Sequence, residues 1–319
     1  RHLNYLRVSI TDRCNLKCIY CVPQDRIPRL AHEEILRYEE ILRIVRIAIT
    51  LGITKVRVTG GEPLVRKGVY AFLEELSKLK GLTDLSLTTN GVYLRDNLEK
   101  VKAAGIKRIN ISLDTINRAK FQKIAGHDQF NRVWQGIEMA QAMGFKPIKV
   151  NVVALNGVNE DELIEMARLS FDYPFHIRFI EYMPIGESQI VNLPLLLAPE
   201  IKKRIGTLGK MVPVQNTHND GPAIRYRFED ARGEIGFIHA LSHNFCDRCN
   251  RLRLTASGKL RPCLLSDHQE DLKTPLRTGC SDKQLAEIFY EAVRHKPSDH
   301  NLAIQTSSRV CGQMRAIGG

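Results

Sequence analysis

Six short segments within roughly the first 185 residues carry a period-two pattern of apolar and polar side chains. Alternation of period two commits a chain to strands with one dry face and one wet face. Leu6, Val8 and Ile10 oppose Arg7, Ser9 and Thr11; Val56 and Val58 oppose Lys55, Arg57 and Thr59; Leu85 and Leu87 oppose Ser86, Thr88 and Asn90. Ile109, Ile111 and Leu113 oppose Asn110, Ser112 and Asp114; Val150 and Val152 oppose Lys149 and Asn151; Ile177 and Phe179 oppose His176 and Arg178. The pattern predicts strands over 6–11, 55–59, 85–89, 109–114, 149–153 and 175–180. Helical patterns cover 33–51, 68–79, 94–104, 130–143 and 160–170, the last with Asn159 and Glu162 as a capping pair. Strands alternating with helices read as parallel βαβ units. The usual parallel barrel is apolar on both strand faces. Here the helices must cover the apolar face, so the polar face looks inward. A lumen lined with Arg, Lys, Ser, Thr and Asn cannot stay dry. It calls for water or a polar, anionic ligand; the competing arrangement is a sheet with one face open to solvent.

Two cysteine triplets stand out: Cys14, Cys18 and Cys21, then Cys246, Cys249 and Cys263. Structural zinc and ordinary iron–sulfur clusters take four ligands. Three thiolates on a four-iron cluster leave one iron open to a small molecule. The first triplet directly follows a strand, at the end where parallel barrels keep their active sites. A redox Cys-x-x-Cys or part of a zinc site are the alternatives there. The second triplet with His243 or Cys280 would also make a four-ligand zinc ribbon, and spacing alone does not choose. Strands expected over 224–229, 234–239 and 251–255 suggest a small antiparallel region carrying it, followed by helices over 272–277 and 283–295.

Six of eight cysteines fall in the triplets, with Cys280 and Cys311 left over. That favours metal ligation in a reducing compartment over a disulfide framework. A net charge of +12 fits an anionic partner or a solvated basic surface. Even the most hydrophobic helix is broken by Arg43 and Arg46, so no membrane span is expected. The expected location is cytoplasmic, or organellar if a targeting segment precedes Arg1, which is not an initiator Met. No GxxxxGK[ST] loop occurs, so a nucleotide would have to be held by side chains.

The run Cys14-Asn-Leu-Lys-Cys18-Ile-Tyr-Cys21 resembles the signature loop of radical S-adenosylmethionine enzymes. Thr59-Gly60-Gly61-Glu62-Pro63 resembles the segment of that superfamily holding the methionine part of the cofactor. Phe245-Cys246-Asp-Arg-Cys249-Asn250-Arg251-Leu252-Arg253-Leu254, then Cys263, resembles the second cluster site of the GTP 3′,8-cyclase family, which opens molybdenum-cofactor biosynthesis. The resemblance runs from Leu6 to Gly319; Val22, where Met is expected before Pro23, is the one small departure.

The resemblance implies a radical S-adenosylmethionine lyase with two [4Fe-4S] clusters. Cys14, Cys18 and Cys21 hold the cluster that chelates S-adenosylmethionine, and Cys246, Cys249 and Cys263 hold the cluster that binds guanine. Tyr20, Gly61, Glu62, Ser112 and Met183 then contact S-adenosylmethionine, with Glu62 able to pair an ammonium group. Arg7, Lys55, Arg57, Thr88, Lys149, Arg251, Leu252 and Arg253 contact GTP. Arg178 sits in the same cavity, and the Gly318-Gly319 tail reaches the active site in a supporting catalytic role. A 5′-deoxyadenosyl radical takes hydrogen from C3′ of the ribose, and the carbon radical closes on C8 of guanine, giving 3′,8-cyclo-7,8-dihydroguanosine triphosphate. Expected partners are GTP, an electron donor and a downstream pterin-forming enzyme; membrane and nucleic acid are not expected, and the state is monomer or homodimer. The expected architecture is α/β: an incomplete parallel (β/α)6 TIM-type barrel over 1–190, closed on its open side by a smaller α+β domain over 191–319. Two other classes stay open on the residues alone: an RNA-modifying radical enzyme and a non-catalytic zinc-ribbon nucleic-acid binder.

Overall fold

The computed structural model describes residues 3–23, 29–190, 193–215, 221–243, 245–298, 310 and 312–318. Gly319 and Cys311 lie outside them. The strands are β1 (Tyr5–Ser9), β2 (Lys55–Thr59), β3 (Asp84–Thr89), β4 (Arg108–Ser112), β5 (Ile148–Ala154), β6 (His176–Glu181), β7 (Met211–Val214), β8 (Ile224–Phe228), β9 (Glu234–Ile238), β10 (Arg251–Leu254), β11 (Lys259–Arg261) and β12 (Glu270–Asp271). The helices are α1 (Tyr38–Thr50), α2 (Val69–Ser77), α3 (Leu94–Ala103), α4 (Arg118–Ala125), α5 (Phe130–Ala142), α6 (Leu163–Asp172), α7 (Ala198–Ile205), α8 (Lys273–Arg277), α9 (Asp282–Arg294) and α10 (Met314–Ile317).

Among the described residues, all twelve strands join one open sheet in the order β12-β11-β10-β1-β2-β3-β4-β5-β6-β9-β8-β7. Six parallel strands were expected to form the barrel wall; the described residues have eight. β10 pairs parallel with the free edge of β1, and β9 pairs parallel with the free edge of β6. The expected single antiparallel region is therefore corrected: β8 and β9 are antiparallel, but β10 lies at the opposite edge. An edge strand offers a row of unpaired N–H and C=O groups, and the returning chain satisfies both edges. The same alternation marks the added strands. Ile235, Phe237, Leu252 and Leu254 are buried in the outer core, opposite Glu234, Gly236, Arg251 and Arg253.

The apolar strand faces and the helices make one continuous core. In α1, Ile41, Ile44, Val45 and Ala48 form the buried stripe expected of an amphipathic helix. Its start is later than the sequence pattern predicts. Residues 32–34 make a separate turn, and Leu36 plugs the core with its N–H on the Ala256 carbonyl (2.9 Å). Asn159 does not cap a helix. Its amide bridges Leu155 N (2.8 Å), Asp114 O (2.7 Å) and Val153 O (2.9 Å), tying the β4 and β5 exits together. Helix α4 escapes the sequence reading because it has only eight residues, although Asn117 accepts from Lys120 N and Gly126 (φ 75°) closes it. No helix among the described residues is long and apolar enough to cross a membrane.

Candidate active site

Polar residues fill the inward face in layers fixed by register. Tyr5 stands beside Lys55 and Arg251; Arg7 beside Arg57 and Arg253; Asn151 between Ser112 and Arg178. One chamber is lined by both cysteine triplets together with Arg7, Arg57, Arg178, Arg251 and Arg253. Tyr20, Gly61, Thr88, Ser112 and Met183 line it too. The first triplet follows the carboxyl end of β1. Cys246 and Cys249 precede the amino end of β10, which runs parallel to β1, so the triplets lie towards opposite ends.

The loop bearing Cys14, Cys18 and Cys21 is seated by two neighbours. Lys17 N and Ile19 N donate to the last carbonyls of α4, Ala125 and Ile124 (both 2.9 Å). On the other side, Gly61 N donates to Thr11 O (2.7 Å) and Glu62 N to Arg13 O (2.8 Å). A Cβ on Gly60 would lie 2.6 Å from Thr11 O, and one on Gly61 would lie 2.5 Å from Arg13 O. The paired glycines thus let two backbone loops meet, whatever ligand lies beyond them.

Burial raises the three thiols: Cys14 to about 11, with Glu62 adding to the rise, and Cys18 and Cys21 well above their ordinary value, with Cys21 and Cys14 adding at Cys18 and Cys14 at Cys21. Such thiols ionise readily when a metal cation is bound, which fits a metal site. Sulfurs on one zinc ion stand about 3.8 Å apart, from a Zn–S bond of about 2.3 Å. Among the described residues the one set of three ligand atoms within 4.8 Å is His268, Glu270 and His295, so neither triplet is drawn in around a single ion. The wider spacing suits a polynuclear cluster. Neither His243 nor Cys280 lines the chamber; Cys280 sits against Arg43 of α1, which donates to its carbonyl (2.6 Å). At the second triplet, burial of Cys249 is outweighed by Arg251 and Lys296, which bring the thiol down to about 6. Lys296 Nζ also donates to the carbonyls of Arg251 (2.8 Å) and Pro262 (2.6 Å), stapling the two segments that carry this triplet.

The cations pay in desolvation for their placement. Burial lowers Arg57, and Arg7 to about 10, with Tyr5 opposing it at both; burial, then repulsion from neighbouring arginines, lowers Arg253, and Arg178 to about 9. Arg57 Nε donates to Ser86 (3.2 Å) and Arg178 to Asn110 (2.7 Å). A polyanion is the ligand that such a cluster is built to receive.

Several expected contacts stand elsewhere. Glu62 is fully buried behind the wall, its oxygens taken by Leu64 N (3.0 Å), Thr89 Oγ1 (2.8 Å) and Asn90 N (2.6 Å), and burial raises it to about 7. Leu252 belongs to the outer core, so its side chain faces away from the chamber. Lys55 sits beneath the chamber, 3.3 Å from Asp84. Lys149 lines a small adjoining hollow with His176 and Glu234, which shares Arg178 and Gly221 with the chamber.

The described tail residues, 312–318, pack against the site. Met314 and Arg315 line the chamber, and Arg253 Nη1 donates to the Gly318 carbonyl (2.7 Å). Gly318 has φ +82°, and a Cβ there would lie 2.7 Å from Thr59 Cγ2. Residues that sequence reasoning missed include Asp114, which accepts from Tyr20 Oη (2.7 Å) and Val153 N (2.8 Å), and Asn90, whose amide lies 3.6 Å from Cys14 Sγ. Both sit at strand ends, where the alternation pointed, but neither belongs to a quoted motif.

The family model described as Radical SAM superfamily matches residues 8–170, and that described as Molybdenum Cofactor Synthesis C matches 175–302. The chain is 47% identical to a GTP 3′,8-cyclase of Moorella thermoacetica, over 100% of this chain and 98% of that protein. It is 45% identical to one from Pelotomaculum thermopropionicum, with the same coverage. Streptococcus suis SuiB bound to S-adenosylmethionine shares the fold, at TM-score 0.66 and 16% identity, over 91% of this chain and 66% of that one. Chamber, paired triplets and full-length likeness agree: the chain belongs to the GTP 3′,8-cyclase family of radical S-adenosylmethionine proteins.

Proposed function

We propose that this chain converts GTP to 3′,8-cyclo-7,8-dihydroguanosine 5′-triphosphate, the opening step of molybdenum-cofactor biosynthesis. The observation that supports this reading is that both cysteine triplets line one chamber together with Arg7, Arg57, Arg178, Arg251 and Arg253. When bound, the two clusters and S-adenosylmethionine supply the radical chemistry that takes hydrogen from C3′ and closes the ring at C8.

The chain's own residues hold and orient. Cys14, Cys18 and Cys21 hold one cluster, and Tyr20, Gly61, Ser112 and Met183 shape the S-adenosylmethionine site beside it. Tyr20 is fixed by Asp114. Cys246, Cys249 and Cys263 hold the other cluster, against which guanine is placed. Arg7, Arg57, Arg178, Arg251 and Arg253 neutralise the triphosphate, with Thr88 as a neutral donor. Lys55 and Lys149 support that cation set from beneath. The packed tail screens the chamber from solvent that would quench a radical. The reaction needs a one-electron donor, and its product suits a pterin-forming enzyme.

The test is anaerobic turnover of GTP with S-adenosylmethionine and a reductant, on wild type, Cys18→Ser and Cys249→Ser. Cys18→Ser should abolish S-adenosylmethionine cleavage. Cys249→Ser should retain the first cluster but yield no cyclised nucleotide. Wild-type protein that cleaves S-adenosylmethionine yet leaves GTP unchanged would refute the reading.

A further inference from the structure

Tyr5 opens β1, one residue before the strand that the sequence pattern predicts. Register sets it beside Lys55 of β2 and Arg251 of β10, on the inward face with Arg7. It lines the chamber yet is only 3% exposed. Lys55 Nζ stands 5.0 Å and the Arg57 guanidinium carbon 5.4 Å from its ring centroid, so cation–π contacts hold the ring.

Its hydroxyl is buried with no hydrogen-bond partner among the described residues. Buried phenols ordinarily find one. The charged groups facing it offer donors and no acceptor: Arg7 on its own strand, Lys55 and Arg57 on β2, and Arg251 on β10. Asp84 of β3, the carboxylate that pairs with Lys55, is also engaged with Arg108. The partner that the phenol lacks is an acceptor able to sit among cations, and a phosphate oxygen is both.

The geometry points to Tyr5 as a phosphate-positioning residue, its hydroxyl donating to a phosphate oxygen of the bound nucleotide. The inference rests on the GTP reading above and adds the residue that fixes where the phosphates end. Arginine charge gives attraction from many directions, whereas one neutral donor on a clamped ring selects a single oxygen. The surroundings give a second signature. Burial pushes the phenol up, but Arg57, Arg7, Arg251 and Lys55 outweigh it and bring it down to about 8. At mildly alkaline pH the phenol is partly ionised, and donating to an arriving phosphate oxygen requires the protonated form, so the phenolate takes a proton from solvent as the nucleotide binds.

The experiment is anaerobic calorimetry on protein with both clusters reconstituted, titrating GTP and, separately, guanosine into wild type and Tyr5→Phe. Phenylalanine keeps the ring and its cation contacts and removes only the hydroxyl. Loss of a hydrogen bond to a charged group should weaken GTP by roughly tenfold or more and leave guanosine within about twofold. In two buffers of different ionisation enthalpy near about pH 8.5, wild type should take up more protons with GTP than Tyr5→Phe does, the difference being the share of the phenol. GTP affinity within about twofold of wild type overturns the proposal. An equal loss for GTP and guanosine also overturns it, since the bond would then lie on the nucleoside. Should the variant lose iron, wild type decides alone: no proton uptake overturns the proposal. Wild type binding GTP no tighter than guanosine would instead sink the triphosphate reading itself, and the proposal with it.

Discussion

Replacing Gly61 by alanine tests whether the paired glycines serve the cysteine loop. The new methyl would lie 2.5 Å from Arg13 O, 2.8 Å from Arg13 C and 2.9 Å from Asp12 O. These are backbone atoms and cannot swing aside, so the loop of the first triplet must shift. Overpacking of this kind costs about 1–3 kcal/mol. The shift also weakens two bonds, Gly61 N to Thr11 O and Glu62 N to Arg13 O, worth about 1 kcal/mol each. The combined loss is roughly 2–5 kcal/mol. With an unfolding entropy of about 2.1 cal/mol/K per residue, Tm should fall by roughly 3–7 °C. Iron should drop by about one cluster of the two, with the loss confined to the first site. Gly52→Ala is the control. It has φ +97° but nothing within 4 Å, so it should cost only about 1 kcal/mol of backbone strain and no iron. Scanning calorimetry with iron analysis reads both. A Gly61→Ala protein with wild-type Tm and full iron would refute the loop-contact account.

Two further perturbations follow from buried charges near the triplets. Burial raises Asp114 from 3.8 to about 6, despite its bond from Tyr20, so its stabilising protonated form is fully present below about pH 4 and lost as pH rises through 6. Denaturant unfolding of wild type should therefore lose roughly 3 kcal/mol relative to Asp114→Asn across that window, and parallel pH profiles would contradict it. Lys296→Met should release the Arg251 and Pro262 carbonyls and lower iron at the second site while sparing the first; Mössbauer signals of two full clusters would rule that out.

Much of this molecule was legible because the inward face in the first part of the chain is polar at nearly every strand position, with Val153 and Ile180 as apolar residues that also line the chamber. Arg7, Arg57 and Arg178 lie in the chamber as the alternation requires. The same rule covers Arg251 and Arg253, but nothing local says that β10 will travel back to pair with β1. Strand pairing at a separation of more than two hundred residues leaves no trace in periodicity. Glu62 shows another limit. A carboxylate in a motif reads as a ligand for an ammonium, while in the folded chain three local donors take it. Helix α4 is the costliest omission, since its final carbonyls seat the cysteine loop. Its cap signals, Asn117 and Gly126, are present, yet eight residues give too few turns for periodicity to register.

The direction of β10 decides how the two triplets work together. Val8 pairs with Leu254 and Tyr5 with Arg251, so the strands run the same way. The first triplet follows β1 and Cys249 precedes β10, which places the strand length between them. From Tyr5 to Ser9 that length is roughly 13 Å at about 3.3 Å per residue, before the loops add to it. An antiparallel β10 would have brought both triplets to one mouth, where one ligand could bridge them but no nucleotide could lie extended between them. The gap instead matches a substrate held by its base at one end and offering its ribose to the other. Reduced clusters should therefore show a dipolar coupling by pulsed electron paramagnetic resonance that corresponds to more than about 13 Å. A separation under about 10 Å would mean that the triplets share an end, and that β10 cannot be paired as the sheet shows it.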